Sequence, residues 1–236
     1  MNRLVVVTGG GSGIGQSIVE RFRGLGADVV AVGRGASPVD EVCDVTDERD
    51  VESLFGRLGE VDVLVNGAGI AGSEPLQRTT LEQWQRHFDV NATSAFLCTR
   101  AVLPGMVARN RGRIVTVAST AALAGGRYIS AYTASKHAVL GLTRAVAAEV
   151  AGTGVTANAV CPAYVRTPMT ERTLARIVER TGRSVDESTA AIVDTFPLGR
   201  LLEPAEVAAA VVYIASDEAA ALNGQALVLD GGGITR

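Results

Sequence analysis

The chain has 236 residues, 47% of them hydrophobic and 20% charged, with 22 basic and 25 acidic side chains and a net charge of −3. This length and composition predict a globular chain with a substantial core and room for one large domain or two small ones. Because no block of like charges stands out, binding to nucleic acid or to an anionic membrane has no electrostatic support. No apolar run approaches the roughly eighteen residues of a membrane-spanning helix.

The cysteines and histidines indicate a reducing compartment and no metal. Cys43, Cys98 and Cys161 are odd in number, widely spaced and in no CxxC pattern, which is typical of free thiols in the cytosol. The N-terminal residues lack the apolar region and cleavage site of a signal peptide. The two histidines, His87 and His137, belong to no cluster with the ligand spacing of a zinc site. We therefore expect a cytoplasmic protein without a bound metal.

Short apolar runs alternate along the chain with longer helical stretches. Strands are predicted at Leu4–Val7, Val29–Val32, just before Asp44, and at Val61–Val65, Arg113–Val117, Val155–Val160 and Ala226–Leu229. Helices are predicted at Gly13–Leu25, Asp47–Phe55, Leu81–Ala108, Ala131–Ala151 and Pro204–Ser216. The strand candidates are apolar on both faces, which is typical of parallel strands covered by helices. This succession predicts a doubly wound parallel sheet of seven strands in a single α/β domain spanning residues 1–236.

Two connections depart from a regular β-α-β succession. Only nine residues separate Arg34 from Asp44, fewer than the dozen or so of a usual parallel crossover, so a turn or loop is expected there instead of a helix. The segment Thr167–Arg200 is long and carries helical patterns of its own at Met169–Glu179 and Asp186–Asp194. A long insertion at the carboxyl end of a strand predicts that this segment is a helical lid.

A glycine-rich loop, TGGGSGIG, follows the first predicted strand and opens the first predicted helix. Its glycines have the spacing Gly9-x3-Gly13-x-Gly15 and not the strict G-x-G-x-x-G. A tight turn, a bare backbone and a helix N-terminus suit the pyrophosphate of a dinucleotide. A plain connection between strand and helix is the alternative, and the position of the loop at the first strand favours the dinucleotide.

The end of the second strand is the place where a dinucleotide site recognises the adenosine ribose. The chain offers no carboxylate to a 2′-hydroxyl there; it has Gly33 and Arg34, and a guanidinium suits a 2′-phosphate. NADP(H) is therefore favoured as cofactor and NAD(H) is the alternative, while an exposed arginine in a polar loop would explain the same residue. Asp44 is compatible with holding the adenine amino group or with capping the helix that begins near Asp47.

Tyr132 and Lys136 stand four residues apart, one helical turn, so their side chains share a helix face. At about 4 Å and an effective dielectric near 20, an ammonium attracts a phenolate by roughly 4 kcal/mol. That attraction is expected to lower the pKa of the phenol by about three, toward neutrality, where it can exchange protons with a substrate oxygen. An ordinary amphipathic helix that contains both residues is the alternative. Ser119 lies thirteen residues before the tyrosine.

Further motifs follow in order along the chain: CDVTD, NGAG from Asn66, NATSAF from Asn91, IVTVAST with Ser119, YTASK with Tyr132 and Lys136, and CPAYVRTPM from Cys161. With the glycine loop, they resemble the short-chain dehydrogenase/reductase family, in its compact branch, over essentially the whole chain. The resemblance implies a Rossmann-like fold. It implies that Tyr132 is the acid in reduction and the base in oxidation, and that Lys136 grips the nicotinamide ribose. Ser119 would hydrogen-bond the substrate oxygen, and Asn91 would anchor a water for proton resupply.

The resemblance also implies which residues line the cofactor. The pyrophosphate and its ribose would meet Gly9, Ser12, Gly13, Ile14 and Gly15; the adenosine half would meet Arg34, Asp44, Val45, Asn66, Ala68 and Gly69; and the carboxamide would meet Val165 and Thr167. The nicotinamide ribose would lie on Tyr132 and Lys136. Gly67 and Ala163 depart from the family pattern, so a side-chain brace is lost at one position and a methyl group is added at the other.

Within the family, the YTASKHAV and VRTPM segments look like those of reductases that act on 3-oxoacyl thioesters and polyketide chains. We therefore expect an NADPH-dependent carbonyl reductase. The alternatives are an NAD-dependent secondary alcohol or hydroxyacyl dehydrogenase and a non-catalytic module that senses dinucleotides. A small-molecule substrate is expected among the loops Ile70–Glu74, Thr120–Ile129 and Tyr164–Met169. Arg127 and Arg172 are interpreted either as a phosphate site or as solvated side chains, and a homotetramer or homodimer is implied by the resemblance.

Overall fold

A single parallel sheet forms the centre of the molecule, in a computed structural model that describes residues 3–35 and 37–234. Among these residues the strands are β1 Leu4–Thr8, β2 Asp28–Gly33, β3 Glu41–Val42, β4 Val63–Asn66, β5 Gly112–Val117, β6 Val155–Pro162 and β7 Ala226–Leu229. They lie in the order β3-β2-β1-β4-β5-β6-β7, and every neighbouring pair is parallel. The strand order runs outward from β1 in both directions, so the predicted doubly wound, Rossmann-like sheet of seven strands is confirmed.

Helices cover both faces of the sheet. In the described part of the chain they are α1 Gly13–Gly24, α2 Glu48–Leu58, α3 Leu81–Phe88, α4 Ser94–Ala108, α5 Ser130–Glu149, α6 Pro168–Thr181, α7 Val185–Val193 and α8 Pro204–Ile214. Val5 and Val7 of β1 belong to the core that contains α1 and α8, whereas Val6 belongs to the core that contains α2, α4 and α5. Successive side chains of a strand point to opposite faces, so an unbroken apolar run is buried on both sides.

The helix predicted over Leu81–Ala108 is not continuous. α3 and α4 are joined by a π-helical turn at Asp89–Thr93. Asn91 in this turn is buried; its side chain accepts a hydrogen bond from the Ile70 N–H at 2.8 Å and donates one to the Ile70 carbonyl at 3.1 Å. A π turn adds a residue to the helical circuit and is often found at functional sites. The prediction of one regular helix is therefore wrong at Asn91, where the side chain binds the loop after β4.

In its described residues, 34–35 and 37–40, the short connection between β2 and β3 contains no helix, as the sequence predicts. The carboxylate of Asp40 accepts a hydrogen bond from the Ala31 N–H at 2.7 Å and pairs with Arg23 at 2.6 Å. The side chain of Val39 packs over Gly33, where a Cβ would lie 3.0 Å from Cγ1 of that valine. These contacts hold the turn against the sheet, so the adenosine end of a dinucleotide site is bordered by a compact turn.

The predicted lid segment carries two helices, α6 and α7, whose bounds lie within two residues of the predicted ones. Leu174 of α6 and Ile192 of α7 pack with Leu201 in a small core of their own. This core is separate from those that cover the sheet, so the segment packs as a unit of its own. In the described residues, no helix is long and apolar enough to cross a membrane.

Candidate active site

The carboxyl ends of β1, β4, β5 and β6 lie at one edge of the sheet, and the predicted site residues follow these strands directly. The glycine loop follows β1. Asn66 is the last residue of β4, and residues 67–69 come directly after it. Ser119 follows β5, and Val165 and Thr167 follow β6. Because all strands are parallel, the loops after neighbouring strands meet at this edge. The fold thus brings together segments that lie more than 150 residues apart in the sequence.

Tyr132 and Lys136 face each other on α5. The Lys136 Nζ lies 5.9 Å from the centre of the Tyr132 ring. This lysine is buried, with 5% of its surface exposed, and its Nζ donates a hydrogen bond to the Val117 carbonyl at the end of β5, at 2.9 Å. The tyrosine is partly exposed. The shared helix face predicted from the spacing is therefore confirmed, and the lysine is anchored to the central sheet.

The predicted effect of this lysine on the phenol is wrong for the structure as it stands. Burial raises the pKa of Tyr132 above its ordinary value, because a phenolate loses hydration; a hydrogen bond from the Ser119 side chain acts in the opposite direction and is smaller. Burial likewise lowers the pKa of Lys136 to about 8. For both groups desolvation is the largest contribution, because neither charged form is well hydrated here. The phenol, which is protonated at neutral pH even at its ordinary pKa, is thus a weaker acid in the cofactor-free protein.

Ser119 is nearly buried at the end of β5 and caps a short 3₁₀ helix at Thr120–Ala122. Its Oγ accepts a hydrogen bond from the Ala121 N–H at 3.1 Å, which fixes the rotamer of the hydroxyl group. A hydroxyl that accepts this bond still has its own proton to donate. Ser119 and Tyr132 therefore present two O–H donors on the same side of the cleft.

Asn91 and Lys136 converge on Gly69. A Cβ at Gly69 would lie 3.3 Å from Asn91 Oδ1 and 3.6 Å from Lys136 Nζ. The Asn91 Nδ2 also donates to the Ser135 Oγ at 2.9 Å, one residue before the lysine. The structure therefore places the four predicted catalytic residues around one point, on the loop after β5, on α5 and on the π turn. The predicted water at Asn91 stays a prediction.

The glycine loop forms a cradle that larger residues would fill. Gly9 and Gly13 have φ of 69° and 55°, values that suit glycine. A Cβ at Gly15 would lie 2.1 Å from the Gly9 carbonyl oxygen, and one at Gly13 would lie 3.2 Å from Cγ2 of Thr167. Ser12 precedes α1 and makes no side-chain capping bond, so its hydroxyl is available beside the helix N-terminus. Bare backbone, free hydroxyl and helix N-terminus fit a dinucleotide pyrophosphate.

The second half of the cradle comes from the segment after β6. Val165 is buried and forms a parallel bridge with Leu202, and Thr167 caps α6 by accepting a hydrogen bond from the Thr170 N–H. The Thr167 side chain lies against Gly13, so the VRTPM segment and the glycine loop are neighbours. Ile14 lies in the first turn of α1. These placements agree with the positions expected for the pyrophosphate and carboxamide contacts.

At the adenosine end, the structure decides between two interpretations of Asp44. Asp47, not Asp44, caps α2, because its side chain accepts from the N–H groups of Arg49 and Asp50. Asp44 accepts from the backbone N–H and the hydroxyl of Thr46, and these bonds, with a smaller contribution from Arg34, lower its pKa. The capping interpretation of Asp44 is therefore wrong. Its carboxylate stays ionised at the edge of the site, beside the buried Val45.

Two of the predicted cofactor residues, Asn66 and Ala68, form hydrogen bonds within the protein that hold the fold together. Asn66 is buried and donates to the Thr99 hydroxyl of α4 at 3.1 Å, so its side chain points to the helix and only its backbone borders the cleft. The Ala68 N–H donates to the Thr8 hydroxyl at 3.2 Å. Arg34 is exposed directly after β2.

Sequence reasoning missed Thr8 and Cys161. The Thr8 hydroxyl accepts from the N–H groups of Gly67 and Ala68 at 3.1 and 3.2 Å, and so fastens the loop after β4 to β1. A Cβ at Gly67 would lie 2.6 Å from the Thr8 carbonyl oxygen, so the glycine at this position fits the backbone geometry. Cys161 is fully buried, and its thiol interacts with the Ser119 backbone and Lys136 while burial raises its pKa. The signals available in the sequence were that Thr8 directly precedes the glycine loop and that Cys161 directly precedes Pro162 in the last motif.

The remaining titratable groups of interest lie away from this point. His87 is buried in α3 with its Nδ1 2.7 Å from the Gln83 carbonyl, and His137 lies exposed on α5 with its Nδ1 2.9 Å from the Thr133 carbonyl. Cys43 and Cys98 are free thiols here, as is Cys161 beside Ser119 and Lys136. Within residues 3–35 and 37–234, no three His, Cys, Asp or Glu side chains gather as ligands of a metal would.

Fold and site together define an oxidoreductase that uses a nicotinamide dinucleotide on alcohol or carbonyl groups. Residues 9–233 match the family model described as enoyl-(acyl carrier protein) reductase. The chain belongs to the short-chain dehydrogenase/reductase family, as the motifs predicted, and it is an enzyme that acts on CH–OH groups with NAD(P). The non-catalytic sensor is thereby set aside.

Named relatives cover nearly the whole chain. A protein assigned as ketoacyl reductase 1 of the granaticin polyketide synthase of Streptomyces violaceoruber is 40% identical over 250 residues, which are 97% of this chain and 92% of the relative. The 2-(R)-hydroxypropyl-CoM dehydrogenase of Xanthobacter autotrophicus is 37% identical over 254 residues, 98% of either chain. The crystal structure of a variant actinorhodin polyketide ketoreductase with NADPH has a TM-score of 0.92 at 36% identity, covering 98% of this chain and 97% of that one.

Proposed function

We propose that the protein, as one catalytic domain spanning residues 1–236, is an NADPH-dependent carbonyl reductase. Its substrate would be a ketone on a 3-oxoacyl thioester or a polyketide-like chain, reduced to a secondary alcohol. The observation that carries the proposal is the phenol of Tyr132, which stays protonated at neutral pH and lies next to the Ser119 hydroxyl. A reductase needs a proton donor at this point. The similarity to the granaticin and actinorhodin reductases supports the substrate class.

The cofactor, when bound, supplies a hydride to the carbonyl carbon. Ser119 and Tyr132 donate hydrogen bonds to the carbonyl oxygen, where negative charge develops. Tyr132 then transfers its phenolic proton to that oxygen, which is the far stronger base. The Lys136 side chain, with its Nζ 5.9 Å from the centre of the Tyr132 ring, would stabilise the phenolate that remains. Asn91 lies beside Lys136 across Gly69, where it would anchor a water that delivers a replacement proton. General acid catalysis of this kind contributes about 10² to 10⁴ in rate.

The acid assignment is tested with Tyr132→Phe, assayed on a panel of ketones and 3-oxoacyl thioesters with NADPH and NADH side by side. We expect kcat to fall by about three orders of magnitude, while cofactor binding, followed by fluorescence, changes little. Tyr213→Phe, on the exposed face of α8, is the matched control. Near-full activity of the Tyr132 variant would remove the proposed mechanism.

For the cofactor, we propose a preference for NADP(H). Arg34 stands exposed directly after β2, and no carboxylate of β2 or the turn that follows is placed to bind a 2′-hydroxyl, since Asp40 is bound to the Ala31 backbone and Arg23. Arg34→Ala should raise the KM for NADPH by about tenfold, as expected for loss of a charge-assisted bond. The KM for NADH should stay within twofold. Arg21→Ala, exposed on α1, is the control; an equal effect on both cofactors would argue against the preference.

An oxidative role is the second candidate, because a dehydrogenase of a hydroxyalkyl thioether, the 2-(R)-hydroxypropyl-CoM enzyme, is also a close relative in sequence. In that direction Tyr132 would act as the base. The same panel, run with secondary alcohols and hydroxyacyl thioesters against NAD and NADP, separates the two. Faster turnover of an alcohol with NAD than of any ketone with NADPH would favour the dehydrogenase.

We also propose a homotetramer, with a homodimer as the alternative, in the cytoplasm. Phe96 and Val107 of α4, and Leu227 of β7, are large apolar side chains that are 36–43% exposed, on two separate surfaces. Two apolar surfaces on one chain suit two pairwise contacts, which together give a tetramer. Light scattering at micromolar concentration tests this assembly, and a monomeric mass would contradict it. The free thiols support a reducing compartment.

A further inference from the structure

Three segments surround the mouth of the candidate cleft, and Glu74, which lies in one of them, contacts the other two. These segments are the loop after β4 at residues 70–75, the loop before α5 at residues 120–129, and the lid helix α6. The Glu74 N–H donates a hydrogen bond to the Tyr128 carbonyl at 2.7 Å. The Glu74 carboxylate accepts one from Arg180 of α6 at 2.8 Å, and Arg180 also donates to the Ser73 carbonyl at 3.4 Å.

The bond from Glu74 ends on a strained residue. Tyr128 has φ of 66°, in the left-handed region that a bulky side chain rarely adopts. Such a conformation persists only where its surroundings hold it, and it often occurs at functional sites. Arg127 stacks on the Tyr128 ring at 5.3 Å, and the Glu74 N–H holds its carbonyl. Tyr132 lies four residues after Tyr128 in the chain. The hydrogen bond between Glu74 and Tyr128 is therefore near the reacting groups and does not involve them.

We propose that Glu74 is a positioning residue for the substrate, joining the three walls of the cleft so that their spacing is already set when a long acyl chain enters. This inference rests on the proposed reductase function. Tyr132 and Lys136 are held by α5 and the end of β5, not by Glu74, so the chemical step does not depend on it. Loss of the Glu74–Arg180 pair loosens α6, and a substrate long enough to contact the lid then binds more weakly.

The exposure of the pair sets the size of the effect. The Glu74 side chain is 22% exposed and that of Arg180 52%, so the pair is partly solvated and sensitive to salt. A pair of this kind contributes enough to change an equilibrium about fivefold. We expect Glu74→Gln and Arg180→Met each to raise the KM for a long 3-oxoacyl thioester about fivefold. The kcat, and the KM for a small ketone, should stay within twofold.

Matched variants separate this effect from general damage to the helix. Arg176→Met removes an exposed arginine one turn earlier on α6, one that forms no ion pair with the described residues, and should change neither constant. The reversed pair, Glu74→Arg with Arg180→Glu, should recover most of the lost affinity, because it restores the attraction with exchanged signs. An unchanged KM in both single variants, or a double variant no better than either, would overturn the proposal.

A readout without catalysis keeps this inference distinct from the proposed function. Amide hydrogen exchange of α6, measured on the full chain without substrate, should quicken about fivefold in Glu74→Gln and Arg180→Met and not in Arg176→Met. If the wild-type protein reduces no ketone in the panel, the reductase proposal fails and the exchange result alone decides whether Glu74 fastens the lid. Unchanged hydrogen exchange in both single variants would show that the Glu74–Arg180 contact does not hold α6 in place.

Discussion

Replacing Lys136 with methionine should make the stability of the cofactor-free protein respond differently to pH. The structure lowers the pKa of this buried ammonium from its ordinary 10.5 to about 8. That difference corresponds to about 3 kcal/mol at 1.36 kcal/mol for each pKa unit. Below pH 8 both the folded and the unfolded chain hold the proton, so this cost of burying the charge is fully present. Between pH 8 and 10.5 the unfolded chain holds more protons, so folding stability rises with pH.

The assay is urea unfolding of the wild-type protein and of Lys136→Met at pH 7, 8, 9 and 10. Methionine has a similar length and no charge, so its own contribution is constant over this range. We expect the free energy of unfolding of the wild type, minus that of the variant, to increase by roughly 2–3 kcal/mol from pH 7 to pH 10.

Subtraction is needed because other groups act in the opposite direction. Burial raises the pKa of Cys43 to about 11 and that of Cys98 to about 12, and it also raises the pKa of Tyr132. At these groups the folded chain then holds more protons than the unfolded chain above about pH 9, so their contribution to stability falls with pH in both proteins. A difference that stays flat or decreases from pH 7 to 10 would show that the ammonium is not desolvated as its burial implies.

Two further substitutions test the cradle and the π turn. Gly15→Ala should destabilise the fold by more than about 2 kcal/mol and weaken cofactor binding, because its Cβ would meet the Gly9 carbonyl at 2.1 Å. Gly24→Ala, in the same helix with open space around it, should be neutral or stabilising by up to about 1 kcal/mol in urea unfolding; the reverse ranking would contradict the cradle. Asn91→Ala leaves the Ile70 N–H without a partner and should cost about 1–3 kcal/mol in the same assay. A cost below about 0.5 kcal/mol would mean that water replaces the asparagine.

Periodicity and local spacing carried much of the prediction. The central strands are buried on both faces, so their apolar runs are visible without any knowledge of their neighbours, and the parallel sheet follows from their alternation with helices. The i, i+4 spacing places Tyr132 over Lys136 wherever α5 lies. The nine residues between Arg34 and Asp44 are fewer than a parallel crossover with a helix usually contains, so the missing helix was visible in the sequence.

What depended on the tertiary structure was the balance of solvation and the long-range contacts. The expectation that Lys136 lowers the pKa of Tyr132 used the distance between two charges, but burial of both groups decides the direction. The π turn at Asn91 forms because the Ile70 backbone offers hydrogen bonds 21 residues away in the sequence. Glu74 meets Arg180 across 106 residues. A sequence read alone shows neither hydration nor such neighbours, because both are created only when distant segments pack.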